Sequence, residues 1–339
     1  MHTSGGKGSI DGGQRRQCLD GLWLALAFAL LALLPVAAAA EADAESLVAV
    51  EVRQFTTIDA NLRLDRILSG AYDAQFLPAP AGALRLAGNP SATHGLKLTA
   101  TLPAGASAAE WKLHLQRIPI DRMTVYLPRS GAQPSESVRR FFQPDASDGL
   151  LPVHFVFPLP ASSGRGVALY AAITTRVDVA VAPMLSHRDA LAHGERAGSN
   201  LLSAIYAAIL VLALSSLALW LALRESAYLY FVGFTATLLL WLAATNGHLY
   251  AMPGVSVLAW WGPFGIAALS FACSAMMLGL AQKFLELRRL HLRLDRAIDA
   301  GRWLLLLLAL ACLANLHGLA DNMRQLALLG WVLGIAVAV

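Results

Sequence analysis

Two hydrophobic periodicities divide this sequence. From Glu41 to Pro183, apolar residues recur at every second position: Trp111, Leu113 and Leu115; Val153, Phe155, Phe157 and Leu159; Val167, Leu169, Ala171 and Ile173. Period two sends alternate side chains to opposite faces, so these runs predict half-buried β-strands. Turn-forming segments separate them: Pro103-Ala104-Gly105, Pro128-Arg129-Ser130-Gly131, Asp145 to Gly149, and Ser162 to Gly166. Short strands with regular turns predict an all-β sandwich or jelly roll. After His187 the pattern changes. His187 to Asn200 is polar and lacks proline, and it runs directly into Leu201 to Leu223, 23 residues without a charge. Further apolar segments occupy 228–244, 263–281, 303–319 and 326–339. A bilayer core of ~30 Å requires about 20 apolar residues per helix. The second half therefore predicts a helical transmembrane bundle. Leu326 to Val339 has only 14 residues and is expected to be an incomplete span of a C-terminally truncated chain.

The N-terminus follows a different logic. Lys7, Arg15 and Arg16 precede a 13-residue apolar run, Leu22 to Leu34. Pro35 and Ala37-Ala38-Ala39-Ala40 then lead into Glu41. A positive start, a short apolar centre and a small-residue exit predict a secretory signal peptide. The expected organisation is a signal peptide at 1–40, a β jelly-roll domain at 41–184, a helical linker at 185–200 and the bundle at 201–339.

Composition sharpens this picture. The chain is 57% hydrophobic and 14% charged, with a mean hydropathy of +0.55. Soluble domains carry about 25% charged residues, so the deficit signals lipid-facing surface. From Glu41 to Asn200 there are 15 Lys/Arg and 15 Asp/Glu. That neutral balance excludes a nucleic-acid interface, which needs a basic patch. The basic residues of the membrane half fall on one side. Arg224, Lys283, Arg288, Arg289, Arg293, Arg296 and Arg302 occupy alternate loops, against Arg324 alone on the other side. Seven against one predicts that these loops are cytoplasmic and that the β domain lies on the exported side of the membrane.

Candidate chemistry is sparse. Nucleophile-elbow, phosphate-loop, dinucleotide and zinc-protease motifs do not occur. Ser163-Gly164-Arg165-Gly166 reads as a hairpin turn, because no helix pattern follows that would cap a phosphate. The cysteines are Cys18, Cys273 and Cys312, so the β domain is expected to fold without a disulfide. His94, His114, His154, His187 and His193 are scattered off metal spacing and are expected at the solvated surface. Trp111 shares a face with Leu113 and Leu115 and is expected in the core. Phe141 and Phe142 are adjacent, and neighbours on a strand point to opposite faces. One ring is therefore expected to be exposed as a ligand contact. No Asp, Glu, Lys or Arg interrupts the first four spans, which argues against ion transport. Lys283 to Arg302 carries Phe284, Leu287, Leu290 or His291, Leu294 and Ile298 at helical spacing. This predicts an amphipathic helix, either resting on anionic lipid or coupling to the bundle. No catalytic, cofactor-binding or metal-binding residue is expected, and ligand-binding residues are not identifiable.

Several segments together resemble the bacterial seven-transmembrane receptors with diverse intracellular signalling modules. Leu68-Ser69-Gly70-Ala71-Tyr72 through Gly88-Asn89-Pro90-Ser91 resembles the opening of that family's second type of extracellular domain. Trp111 to Pro128, ending Val125-Tyr126-Leu127-Pro128, resembles its middle strands. Phe155-Val156-Phe157-Pro158-Leu159 resembles a later one. Leu223-Arg224-Glu225-Ser226-Ala227-Tyr228-Leu229-Tyr230 and Asn246-Gly247 resemble the first inner loop and the outer end of the second span. Phe284-Leu285-Glu286-Leu287 through Leu294-Asp295-Arg296 resembles the second inner loop. His94-Gly95-Leu96-Lys97 departs from the family, which usually has a Trp before this strand. The resemblance implies a receptor. Its periplasmic jelly roll would bind a small ligand, carbohydrate included, and the helices would pass the signal to a cytoplasmic output module. The expected partners are the bilayer and that ligand; homodimerisation is left open. The alternative is a non-signalling envelope protein that binds glycan or a partner and uses the helices as an anchor or transport subunit. If His187 to Leu223 is a rigid transmitter, one inserted residue near Ala197 should break the signal, and seven should restore its phase.

Overall fold

The computed structural model describes residues 47–48, 50–57, 72–78, 84–103, 105–127, 135–144, 154–159, 166–252, 254–286, 288 and 291–314. The chain divides into two units, Met1–Leu47 and Val48–Val339. The expected signal peptide and the segment 326–339 lie outside the described residues. A two-residue strand, β1 (Leu47–Val48), opens the described chain.

Eleven more strands follow among the described residues of Val48–Val339: β2 (Glu51–Thr57), β3 (Leu77–Pro78), β4 (Leu84–Leu86), β5 (Asn89–Thr101), β6 (Trp111–Gln116), β7 (Arg122–Leu127), β8 (Ser135–Arg139), β9 (His154–Pro158), β10 (Gly166–Thr175), β11 (Val179–Val181) and β12 (Pro183–His187). They form antiparallel sheets. The largest has the order β3-β2-β5-β10-β7-β8. In a second sheet β6 lies between β12 and β9, and β4 pairs with β11. The period-two reading sets the register. Leu98 sits opposite Leu169 and Leu96 opposite Ala171, with Val125 across Ala171 on the other side. These inward residues meet Leu113, Leu115, Phe155, Phe157 and Leu185 of the second sheet in one core. Each Val, Leu or Phe among them contributes roughly 1.5–3 kcal/mol on full burial. Trp111 joins this core, as its spacing implied.

One turn differs from expectation. The strands flanking Ser163 to Gly166 do not form a hairpin: β9 pairs with β6, whereas β10 pairs with β5 and β7. β9 and β10 therefore belong to different sheets, a long-range choice that turn composition does not encode. The strands flanking Pro128 to Gly131 do pair with each other.

The strands give way to helices at His187. Helix α1 (Arg188–Leu223) runs unbroken for 36 residues, about 54 Å at 1.5 Å per residue. His187 caps it by accepting the Asp189 N–H at 3.4 Å, and Asp189 complements the dipole of the first turn. Arg224 ends it in the left-handed region (φ 56°), with its N–H donating to the Trp220 carbonyl at 2.7 Å. Helices α2 (Ser226–Thr245), α3 (His248–Ala251), α4 (Pro263–Phe284) and α5 (Leu292–Leu313) follow, and a 3-10 turn (Ser256–Trp261) precedes α4. Helices α1, α2 and α4 are long and apolar enough to cross a membrane. Leu210, Val211, Leu214, Leu219 and Leu221 of α1 point outward, as a lipid-facing helix requires. The 246–261 segment between the second and third apolar runs contains α3 and the 3-10 turn. The charged stretch from Lys283 is not one separate helix either. Lys283 and Phe284 end α4, and Leu292 begins α5, which continues through Trp303 into the fourth apolar run.

Candidate functional site

The sandwich core does not stop at the last strand. Ala243, Ala244, Leu249, Tyr250 and Ala259, at the ends of α2 and in the α2–α4 connector, belong to the same continuous core as the strands. The chemistry of this junction comes from three bends at one end of the sandwich. After β6 the chain presents Arg117; after β8 it presents Phe141 and Phe142; after β10 it presents Arg176.

Phe141 and Phe142 are both buried, at 0% and 4% exposure. They stand in a bend beyond β8, so strand alternation does not apply and neither ring is a free ligand contact. Their edges meet Tyr250, with centroids 6.1 and 5.1 Å away. Tyr250 is itself buried, and burial pushes its phenol up to about 12.

The two arginines take complementary seats. The guanidinium of Arg117 lies 5.5 Å above Phe141 and 5.7 Å from Phe155. It stands against Gly247, where an added Cβ would fall 2.9 Å from Nε. Gly247 has φ 77°, so glycine is required there twice, for its backbone and for this approach. Arg176 is held by Asp121: Nε donates to Oδ1 at 2.8 Å, Nη2 lies 2.6 Å from Oδ1, and the Arg176 N–H reaches Oδ2 at 2.9 Å. Such charge-assisted, multiply bonded pairs fix orientation as well as energy. Arg176 stands over Phe142 at 6.0 Å and against Gly262. Beside them, His248 Nδ1 and the Tyr206 hydroxyl of α1 lie 2.9 Å apart. Burial, then the Arg117 charge, lowers the pKa of His248. One knot thus ties the sandwich, α1, α2 and the connector together.

A second polar knot lies at the other end of the bundle. Arg302 of α5 donates to the Tyr230 hydroxyl of α2 at 3.3 Å and to Gln282 of α4 at 3.4 Å, and it pairs with Asp299 at 2.9 Å. Gln282 in turn donates to the Asp295 carbonyl at 2.9 Å. Gly279 admits Tyr230, since a Cβ there would fall 2.6 Å from its ring.

The histidines are not uniformly solvated. His94 and His114 are buried at 4% and 6%, and His154 is half-buried and bonded to Glu195. His94 lies 2.9 Å from the Ala87 carbonyl, whereas His114 and His154 are anchored by Ser186 and Glu195 from distant segments, which spacing along the chain does not reveal. On the outer face of the largest sheet, Phe76, Tyr126 and Ala172 pack with Tyr72 and Tyr170. Lys97 bonds Asp73 at 2.8 Å and lies 5.5 Å from the Tyr170 ring. The Asp73 carboxylate holds the Lys97 ammonium above its ordinary range.

A family model described as 7TM diverse intracellular signalling matches residues 199–339. No curated protein matches the chain.

Proposed function

Residues 199–339 of this chain belong to the 7TM diverse intracellular signalling family, and from that premise we propose a receptor whose β-sandwich binds a small ligand in the periplasm and passes the change into the bundle through the α2–α4 connector. The observation that carries this reading is the shared core: Tyr250 is packed between Phe141 and Phe142 of the sandwich and the outer ends of the helices. A ligand shifts such an equilibrium only through unequal affinity for its two states. A junction packed like a protein interior passes strain on, because close-packed groups do not deform freely.

The orientation rests on two independent supports. The basic loops around Arg224 and Lys283 to Arg302 favour the cytoplasm. The connector that touches the sandwich lies at the opposite end of α2 from the Arg302 knot. An intracellular signalling module would read the bundle at the Arg302 end. For the ligand, Tyr72 and Tyr170 beside the Lys97–Asp73 pair offer a partly open aromatic surface with charged hydrogen-bonding groups. That combination suits a sugar ring.

The test uses the chain in lipid nanodiscs with 19F-labelled tryptophan. A panel of mono- and oligosaccharides is titrated while the Trp260 and Trp261 resonances are followed. Saturable binding that moves both resonances is expected. Tyr170→Ala should weaken the binding, and Tyr250→Ala should keep it while silencing the connector. Binding that never reaches Trp260 or Trp261 in the unmodified chain would overturn the coupling.

A further inference from the structure

A separate contact joins α1 to the sandwich, away from the connector. Lys112, His114 and Gln116 share the outer face of β6, because Leu113 and Leu115 point inward. His154 stands across from Gln116 on β9, and Ser186 across from Lys112 on β12. Helix α1 packs over β12 and β6 on this face. Its Glu195 accepts two bonds from one residue: the His154 backbone N–H at 3.0 Å and the His154 ring Nδ1 at 2.6 Å. β9 ends its sheet, so Glu195 also satisfies an edge-strand donor. The His154 ring meets the His114 ring edge-on, with centroids 5.0 Å apart. His114 Nε2 lies 2.7 Å from Ser186 Oγ, and its Nδ1 is buried without a hydrogen-bond partner among the described residues.

We propose that Glu195 and His154 form a proton-operated clasp, which holds the membrane-proximal helix α1 to the sandwich more tightly when His154 carries its proton. With neutral imidazole the Nδ1–H already gives a charge-assisted bond to the ionised carboxylate. Protonation adds the attraction of a full positive charge to that bond and makes an ion pair of it. Among the described residues, the following polar and charged groups lie around the pair. His114 faces it from β6, with Lys112 further along the same face; β12 supplies the Ser186 hydroxyl. On α1 itself, His193 is engaged with the Asp189 carbonyl at 3.0 Å, while the Asp189 carboxylate lies 3.8 Å from His187. Arg188 and Arg196 are exposed. Burial, then the charge of His154, holds His114 down to about 4, so above that pH His114 is neutral. A second positive charge therefore does not cancel the first. The contact exists whatever ligand the sandwich takes, so it adds a response to acidity that the ligand reading does not contain.

Hydrogen exchange on the full chain in nanodiscs tests this directly, because the His154 amide is itself part of the clasp. Rates are corrected for the intrinsic pH dependence of exchange and compared from about pH 8 to about pH 5, where imidazoles change charge. Protection of the His154 amide and of residues 188–200, taken relative to that at Phe141 and Tyr250, is expected to rise roughly fivefold towards the acid end, the factor that a partly exposed ion pair supplies at most. His154→Gln keeps a donor but should flatten the profile. Glu195→Gln should flatten it and lower protection throughout. Protection at Phe141 and Tyr250 reports whether each variant is folded. A flat profile in the unmodified chain, or an unchanged rise in folded His154→Gln, overturns the proposal.

Discussion

The guanidinium of Arg176 occupies the space that a side chain at Gly262 would fill, so a residue of the sandwich and a residue of the membrane connector exclude every alternative at that point. Asp121 fixes Arg176 from behind, and Gly262 has φ 51°. Gly262→Ala therefore meets both a steric and a backbone obstacle. A left-handed non-glycine residue alone costs about 1–2 kcal/mol. We expect a lowered unfolding temperature and loss of exchange protection at Phe142 and Tyr250. Gly301→Ala in α5 meets open space and should be neutral or stabilising by up to about 1 kcal/mol.

Tyr250 separates packing from ionisation. Tyr250→Ala should cost about 3–5 kcal/mol, as other buried aromatic truncations do. Tyr250→Phe should retain most of that. The native phenol stays neutral up to about 12, whereas an unfolded one ionises near 10. Its contribution is complete below about pH 10 and is lost as pH rises from there towards about 12. Tyr250→Phe should remove this part of the alkaline loss in unfolding curves measured against pH.

His114 gives the opposite sign in acid. The unfolded imidazole takes its proton near 6.5, while the folded one resists until about 4. Stability is therefore full above about pH 6.5 and falls as pH drops from there to about 4, by on the order of 3 kcal/mol in all. His114→Gln should flatten this limb in thermal unfolding of the nanodisc-embedded chain. A limb unchanged by the substitution would assign the acid loss to other groups.

The loop charges predict the membrane topology. A phosphatase fused after Gly254 should be active in the exported compartment, and one fused after Arg293 should be inactive. Activity after Arg293 would reverse the orientation.

Helix α1 is continuous, so one residue inserted near Ala197 rotates the lower part by ~100° relative to the upper. The Glu195–His154 contact above and the Tyr206–His248 contact below then cannot both form. Seven inserted residues restore the phase but add about 10 Å of rise. Because the sandwich also packs on the connector, that length cannot be absorbed. We expect stability to fall for one and for seven insertions alike, rather than recover at seven. Recovery at seven would mean that the α1 contacts, not the connector, carry the mechanical link.

The elements of this protein were legible in its sequence because each is specified locally. Alternation at Leu113, Leu115, Phe155 and Phe157 depends only on the two-residue repeat of a strand. The apolar run from Leu201 to Leu223 depends only on what lipid tolerates. The uninterrupted course of α1 followed from the absence of proline. What only the tertiary structure decided is which distant pieces meet. Nothing near Gly247 in the chain names Arg117, and nothing near Gly262 names Arg176. Phe141 and Phe142 gave a misleading strand reading because their burial comes from Tyr250, more than 100 residues away. His114 and His154 looked solvated for the same reason, since Ser186 and Glu195 reach them only after the sheet and α1 have packed. Periodicity reports which face of an element is apolar. The partner of that face is set by sheet order and by the docking of α1 and the connector, which are properties of the whole chain.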